Sequence, residues 1–309
     1  MIKKYTSQNI TWVDVKKPTQ DEIKDLMLNY KLHPLVAEEL LLPTFKPKVD
    51  LHSDYIYLIL HFPFFKKGPN GDSKFVSKEV NFIIAKDFII TVHYDDGIRA
   101  LEEFTKIFEV DSILNTEKGT ALHAGYLFFY ITQKLYKSLS DELDYIENRQ
   151  KQIKQSIFNG DEKKMVKEIS YMAHNLLDFK QSIAHHKEVL NSLEIVGEQF
   201  FGRDFLHYLR SINNKYHNIY HIINTTQDNL KELRETNDSL LTTKQNESMK
   251  IFTILAFVTF PLSLIASIFG MNTVQTPIIG IVNDFWWILG GMTITTLIMF
   301  SFFKYKKWF

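Results

Sequence analysis

No cysteine occurs among the 309 residues, which excludes disulfides, thiolate zinc sites, iron–sulfur clusters and cysteine nucleophiles together. No sign of charge prevails: 36 Lys and Arg balance 36 Asp and Glu, so no global basic field points to nucleic acid. Neither a G-x-G-x-x-G nor a Walker loop marks the N-terminal part. Without a nucleophile–base pair either, an enzyme is the poorest fit. Proline is scarce beyond Pro69, where only Pro261 and Pro277 follow. The most telling absence is local. Residues 251–283 and 285–303 contain no Asp, Glu, Lys, Arg or His at all.

Within those stretches, Ile251–Phe269 and Phe285–Phe303 each have 19 residues, enough at about 1.5 Å per residue to cross a hydrocarbon core of about 30 Å. Pro261 and the pair Gly290, Gly291 would weaken helices in water, yet helices in lipid tolerate them. Trp286 and Trp287 stand where an interfacial aromatic anchor belongs. Lys250 precedes the first span and Lys304, Lys306 and Lys307 follow the second, whereas the loop Gly270–Asp284 has no Lys or Arg. The positive-inside rule therefore places both termini in the cytoplasm of a multi-pass plasma-membrane protein. The opening MIKKYTSQNITWVD has no apolar h-region, so no cleaved signal peptide is expected.

The polar remainder mixes helical and strand signals over residues 1–130. Thr19 and Glu22 form a capping box that opens a helix to about Asn29. Pro34–Leu42 reads as a second helix, and Ile98–Phe108 returns to helical spacing. Tyr55–Phe65, Val80–Ile84 and Phe88–Val92 read as strands. An α/β domain fits this order. Over 131–203, Leu135, Leu139, Leu143, Ile146, Ile153 and Ile157 mark one helix. Met165, Ile169, Met172, Leu176 and Ile183 mark its antiparallel partner beyond Asn159-Gly160.

From Gly202 to Pro261 there is neither Gly nor Pro. Ile212, Tyr216, Ile219, Ile223, Thr226, Leu230, Leu233, Asn237, Leu240 and Lys244 step by four and three as a heptad seam. A single helix over 204–269 would be ~100 Å long. Such a helix needs neighbours, which predicts a parallel oligomer about a shared axis. The alternative is packing against the chain's own helices at 135–195. The predicted class is α+β: a cytosolic α/β domain, a helical hairpin, a long stalk helix and two C-terminal transmembrane helices. The boundaries are 1–130, 131–203, 204–269, an external loop 270–284, a second span 285–303 and a basic tail 304–309.

A second stripe runs into the first span: Asn246, Met249, Thr253, Ala256, Phe260, Ser263 and Ser267 follow at intervals of three and four. Polar groups facing lipid are penalised, so this face should look toward protein or water. Close helix packing through small residues would also use such a stripe. Its continuity with the cytosolic helix favours a pore, with Met249 and Phe260 as apolar constrictions.

Immediately after the span comes Gly270-Met271-Asn272. Placed before the second of two C-terminal spans and a lysine-rich tail, it resembles the CorA family of magnesium channels. Asn246–Lys250, Phe260–Ser263, Tyr305–Phe309, Leu32–Leu35 and Phe88–His93 extend the resemblance. It implies a homopentamer with a funnel-shaped cytosolic domain, the first spans lining the path and the second spans outside. It implies Gly270, Met271 and Asn272 as the external selectivity filter for Mg2+, with Co2+ and Ni2+ as secondary ions. Mg2+ gives up its waters reluctantly, so five Asn272 carbonyls accepting from those waters would select the hydrated ion. No cofactor is implied beyond the transported ion and regulatory divalent cations. Two positions depart from the family. Thr273–Pro277 lacks the loop glutamate, leaving Asp284 and carbonyls to capture cations. Arg210-Ser211 stands where well-known members carry Arg-Asp, whose carboxylate binds regulatory Mg2+.

Three weaker sites remain. Asp141, Glu142, Asp144 and Glu147 read as regulatory cation attractors or, more plainly, as a solvated helix face. His217 and His221, four apart, offer two imidazoles to zinc but not a complete site. The basic tail Lys304, Lys306 and Lys307 reads as a topology signal and lipid contact. Two other functions fit the same residues: a zinc transporter of the same fold, coupled to protons, and a non-conducting membrane-anchored ion sensor or scaffold.

Overall fold

The computed structural model describes every residue except 8–9, 45, 68–72, 96–97, 110–122, 272–277, 281 and 307–309. It divides into two compact units, Met1–Arg234 and Glu235–Phe309.

The first unit is built on a six-stranded sheet: β1 (Ile2–Ser7), β2 (Ile10–Lys16), β3 (Lys48–Leu51), β4 (Ile56–Lys67), β5 (Ser73–Ile84) and β6 (Phe88–His93). Their spatial order is β1-β2-β6-β5-β4-β3. Only β2 and β6 pair in parallel, with Val13 opposite Ile90; every other neighbour is antiparallel. β4 reads as a nearly unbroken apolar run because both faces of the sheet are covered. Helices α1 (Gln20–Tyr30) and α2 (Pro34–Glu39) enclose one face, where Val13, Ile23, Leu26, Val36, Tyr57 and Ile90 form a buried core. The capping box opens α1 as expected: Glu22 N donates to Thr19 Oγ1 at 3.3 Å, and Thr19 N to Glu22 Oε2 at 2.9 Å.

The other face meets α3 (Arg99–Glu109), α4 (Ala124–Phe158) and α5 (Glu162–Ser182). Aromatic edges make that junction. Trp12 lies 5.3 Å from Phe104, Phe82 5.3 Å from Phe128, and Phe75 5.1 Å from Phe179. The arm that returns from Asn159 is broken at 183–185, after which α6 (His186–Phe201) continues it. A 3-10 turn, Arg203–Phe205, then leads into α7 (Leu206–Phe269), and α8 (Asp284–Tyr305) completes the chain.

Of the two arrangements open to the heptad seam, the chain's own helices take its first part. From Ile212 to Leu230 it is covered by the chain's own helices rather than left open to other copies. Ile212, Ile223 and Thr226 have 0% exposure and Leu230 4%. Gln150 Nε2 of α4 donates to the Thr226 carbonyl at 2.8 Å, and the His186 ring of α6 lies 6.0 Å from Tyr216. An apolar period reports which face is buried, not which chain buries it.

Candidate ion pathway

In the second unit, α7 and α8 are both long and apolar enough to cross a membrane. On α7, Ile254 is buried at 6% exposure, and Val258, Pro261, Ile265 and Phe269 are half-buried. On α8, Ile288, Met292, Thr295, Met299 and the buried Phe303 recur at helical spacing on one face. The Phe257 and Phe303 rings join the two helices at 6.4 Å.

The polar stripe lies elsewhere. At roughly 100° per residue, Thr253, Ala256, Phe260, Ser263 and Ser267 centre about 150° around α7 from Ile254, Val258, Pro261 and Ile265. Asn246, Ser263 and Ser267 are exposed, as are Met249 (61%) and Phe260 (72%), while Thr253 and Ala256 are half-buried. α7 therefore turns its apolar side toward α8 and leaves the sequence-identified stripe on its far side. Thr253 donates its hydroxyl proton to the Met249 carbonyl at 2.8 Å. Its oxygen lone pairs stay free to accept from water.

At the end of α7, Gly270 N still donates to the Ala266 carbonyl at 2.9 Å, and Met271 N to the Ile268 carbonyl at 3.3 Å. A Cβ on Gly270 would stand 3.0 Å from the Ala266 oxygen. Glycine thus suits the last helical turn before the chain departs. Met271 is exposed; Asn272 and the segment Thr273–Pro277 lie outside the described residues. Asp284 opens α8, and its Oδ2 accepts from Gly280 N at 3.2 Å. The carboxylate assigned to cation capture therefore also ties the returning loop to the second span.

The family match settles what this arrangement belongs to. The sequence model described as CorA-like Mg2+ transporter protein matches residues 7–306. The chain belongs to that family. The cobalt/magnesium transport protein CorA of Thermotoga maritima is 24% identical to this CorA-like chain over 306 residues, covering 98% of it and 84% of the relative. The CorA magnesium transporter of Methanocaldococcus jannaschii, a complete structure, shares the fold at TM-score 0.82 and 18% identity, covering 99% of this chain and 93% of that one. The ZntB cytoplasmic domain from Vibrio parahaemolyticus matches at TM-score 0.60 and 15% identity, over 77% of this chain and 90% of that one. The expected fold class is thereby borne out. The family is one of transporters, not enzymes.

The remaining site residues of this CorA-like chain are not gathered into a metal centre. Among the described residues no three of His, Asp and Glu are placed to hold a metal ion. Asp141 and Asp144 are exposed on α4, with Glu142 and Glu147 half-buried beside them; His217 and His221 are exposed on α7. Lys304 and Lys306 are exposed at the end of α8, and Lys307 lies outside the described residues. Ser211, at the position of the family acid, accepts from Gln133 Nε2 at 3.4 Å. This neutral pair was not legible in the sequence, because its two members stand 78 positions apart.

Proposed function

We propose that the protein is a homopentameric channel that passes hydrated Mg2+ down its electrochemical gradient, with Co2+ and Ni2+ as secondary ions. One observation carries the reading: the polar stripe of α7 lies opposite the face that packs on α8. A helix pair in lipid that needed only an anchor would have no use for the exposed Asn246, Ser263 and Ser267 and the half-buried Thr253 along one side. Several copies of α7 around an axis put that side against water and leave α8 outside, toward lipid. Trp286 and Trp287, both exposed at the start of α8, then sit at the membrane interface.

In this arrangement Mg2+ is cargo rather than a resident cofactor. Its first-shell waters point hydrogens outward, so the path must offer acceptors. Rings of Asn246, Thr253, Ser263 and Ser267 oxygens do so, and Asn272 carbonyls do so at the external mouth. Met249 and Phe260 form the apolar narrowings where water can withdraw and close the path. Both termini are cytoplasmic, and an inside-negative potential of ~100 mV contributes about 4.6 kcal/mol for two charges. The acids on α4 and the lysines after α8 act on cation supply near the cytoplasmic mouth. Gln133 and Ser211 carry no charge, so closure by intracellular Mg2+ does not draw on a carboxylate at that position.

The absence of cysteine makes the test direct. Thr253→Cys and Leu255→Cys, each alone, give a single thiol per chain for a small cationic methanethiosulfonate. Modification of Thr253→Cys should reduce Mg2+ influx several-fold, and modification of Leu255→Cys should leave it unchanged. Block at Leu255→Cys with none at Thr253→Cys would place the path on another face.

A further inference from the structure

A concavity of about 740 Å3 opens between α5, the start of α6 and α7, within the first unit. Its polar lining comprises Lys180, Gln181, Lys187, His217 and Gln227, with Tyr220 beside them and no carboxylate among the described lining residues. Lys180 is held in place without an acid. Its Nζ donates to Asn224 Oδ1 at 2.9 Å and Gln227 Oε1 at 3.0 Å, 5.5 Å from the Tyr220 ring. Two lysines and an imidazole thus share a recess whose other described polar lining groups are neutral. Such a field is complementary to a compact multiply charged anion, and lysine suits phosphate as a point charge. The Tyr220 and His217 rings supply flat faces, and the Gln181 amide supplies a donor and an acceptor for a base edge. Concavity of this size fits a small molecule, whereas surfaces that join protein chains are depleted in lysine.

We propose that this recess binds a nucleoside polyphosphate, with Lys180 and Lys187 on the phosphates and Tyr220 against the base. His217 thereby serves an anion site, not the zinc pair with His221. The ligand bridges the hairpin helices to α7, adding to the link that Lys180 already makes.

The test is isothermal titration of full-length protein in detergent with ATP and with tripolyphosphate, without added Mg2+. ATP should bind saturably, and tripolyphosphate more weakly because it lacks a base. Lys187→Gln, at an exposed position, should weaken ATP binding several-fold, and Lys180→Gln with Lys187→Gln at least tenfold. Tyr220→Ala should narrow the gap between ATP and tripolyphosphate. Lys164→Gln, whose lysine pairs with Asp161 at 2.8 Å on the surface, should bind as the wild type does. Absence of saturable ATP binding, or equal binding by wild type and the double variant, would overturn the proposal. Loss of the oligomer in the double variant, with no ATP binding by the wild type, would assign the lysines to a contact between copies and overturn it too.

Discussion

His186 has 0% exposure, and its two ring nitrogens have opposite partners. Nε2 lies 2.8 Å from the His61 carbonyl, which can only accept, so Nε2 carries the proton. Nδ1, 2.7 Å from the Tyr136 oxygen, then accepts from that hydroxyl. Burial pushes the imidazole down to about 3. His123, the N-cap of α4, is pushed down to about 4 by burial and by Lys86, and its Nδ1 accepts from Gly125 N at 3.2 Å. Both rings are neutral in the fold and take up a proton more readily when unfolded. Stability from this source is complete above about pH 6.5 and is lost as pH falls toward 4 and 3. At pH 5 the His186 contribution alone is a loss of about 2 kcal/mol. Thermal unfolding of the full chain in detergent should show a midpoint lower at pH 5 than at pH 7.5 by at least the ~4 to 8 °C that His186 alone accounts for. His123→Asn, which keeps a capping oxygen and cannot titrate, should make that fall smaller; an unchanged midpoint in the wild type would contradict the assignment. At this scale the sequence was partly legible. Thr19 and Glu22 are three apart and announce their own capping box, whereas the His185-His186 dipeptide says nothing of Tyr136 or His61.

Among the elements, local period was a good guide to existence and a poor guide to partner. α4, α5 and α7 follow their apolar spacing closely, because each buries one stripe. β1, β2 and β3 escaped notice. β1 and β3 are sheet edges with mostly exposed or half-buried residues and no clean alternation, whereas the interior β2 alternates only in part, Trp12 and Val13 both being buried. The spacing of the α7 seam allows either a surface between copies or packing on the chain's own helices, and from Ile212 to Leu230 the seam meets α4 and α6. Gly197 shows how closely. A Cβ there would lie 2.4 Å from Leu209 Cδ1, and Leu209 is itself only 3% exposed. Overpacking should outweigh the helix preference of alanine, so Gly197→Ala should lose a net of about 1 to 2 kcal/mol in unfolding experiments. Combining it with Leu209→Ala should cost less than the two single changes added. A Gly197→Ala variant as stable as the wild type would show that α6 and α7 are looser than this contact requires.

For the whole molecule, the division of labour was visible in composition: charge fills the first 250 residues and nearly vanishes afterward. What composition could not supply is the number of copies, because the exposed face of α7 does not say how many copies meet there. The proposed channel has five copies, countable by native mass spectrometry. The stripe, the spans and the Gly270-Met271-Asn272 motif converge on one proposal, that hydrated Mg2+ moves through a path filtered by Asn272. The most direct measurement is Mg2+ influx into proteoliposomes under an inside-negative potential without a pH gradient, comparing wild type with Asn272→Ala. Potential-driven influx in the wild type, with selectivity lost in an Asn272→Ala oligomer of unchanged size, is the predicted result. No Mg2+ influx in the wild type, or the same selective influx in both, would contradict it.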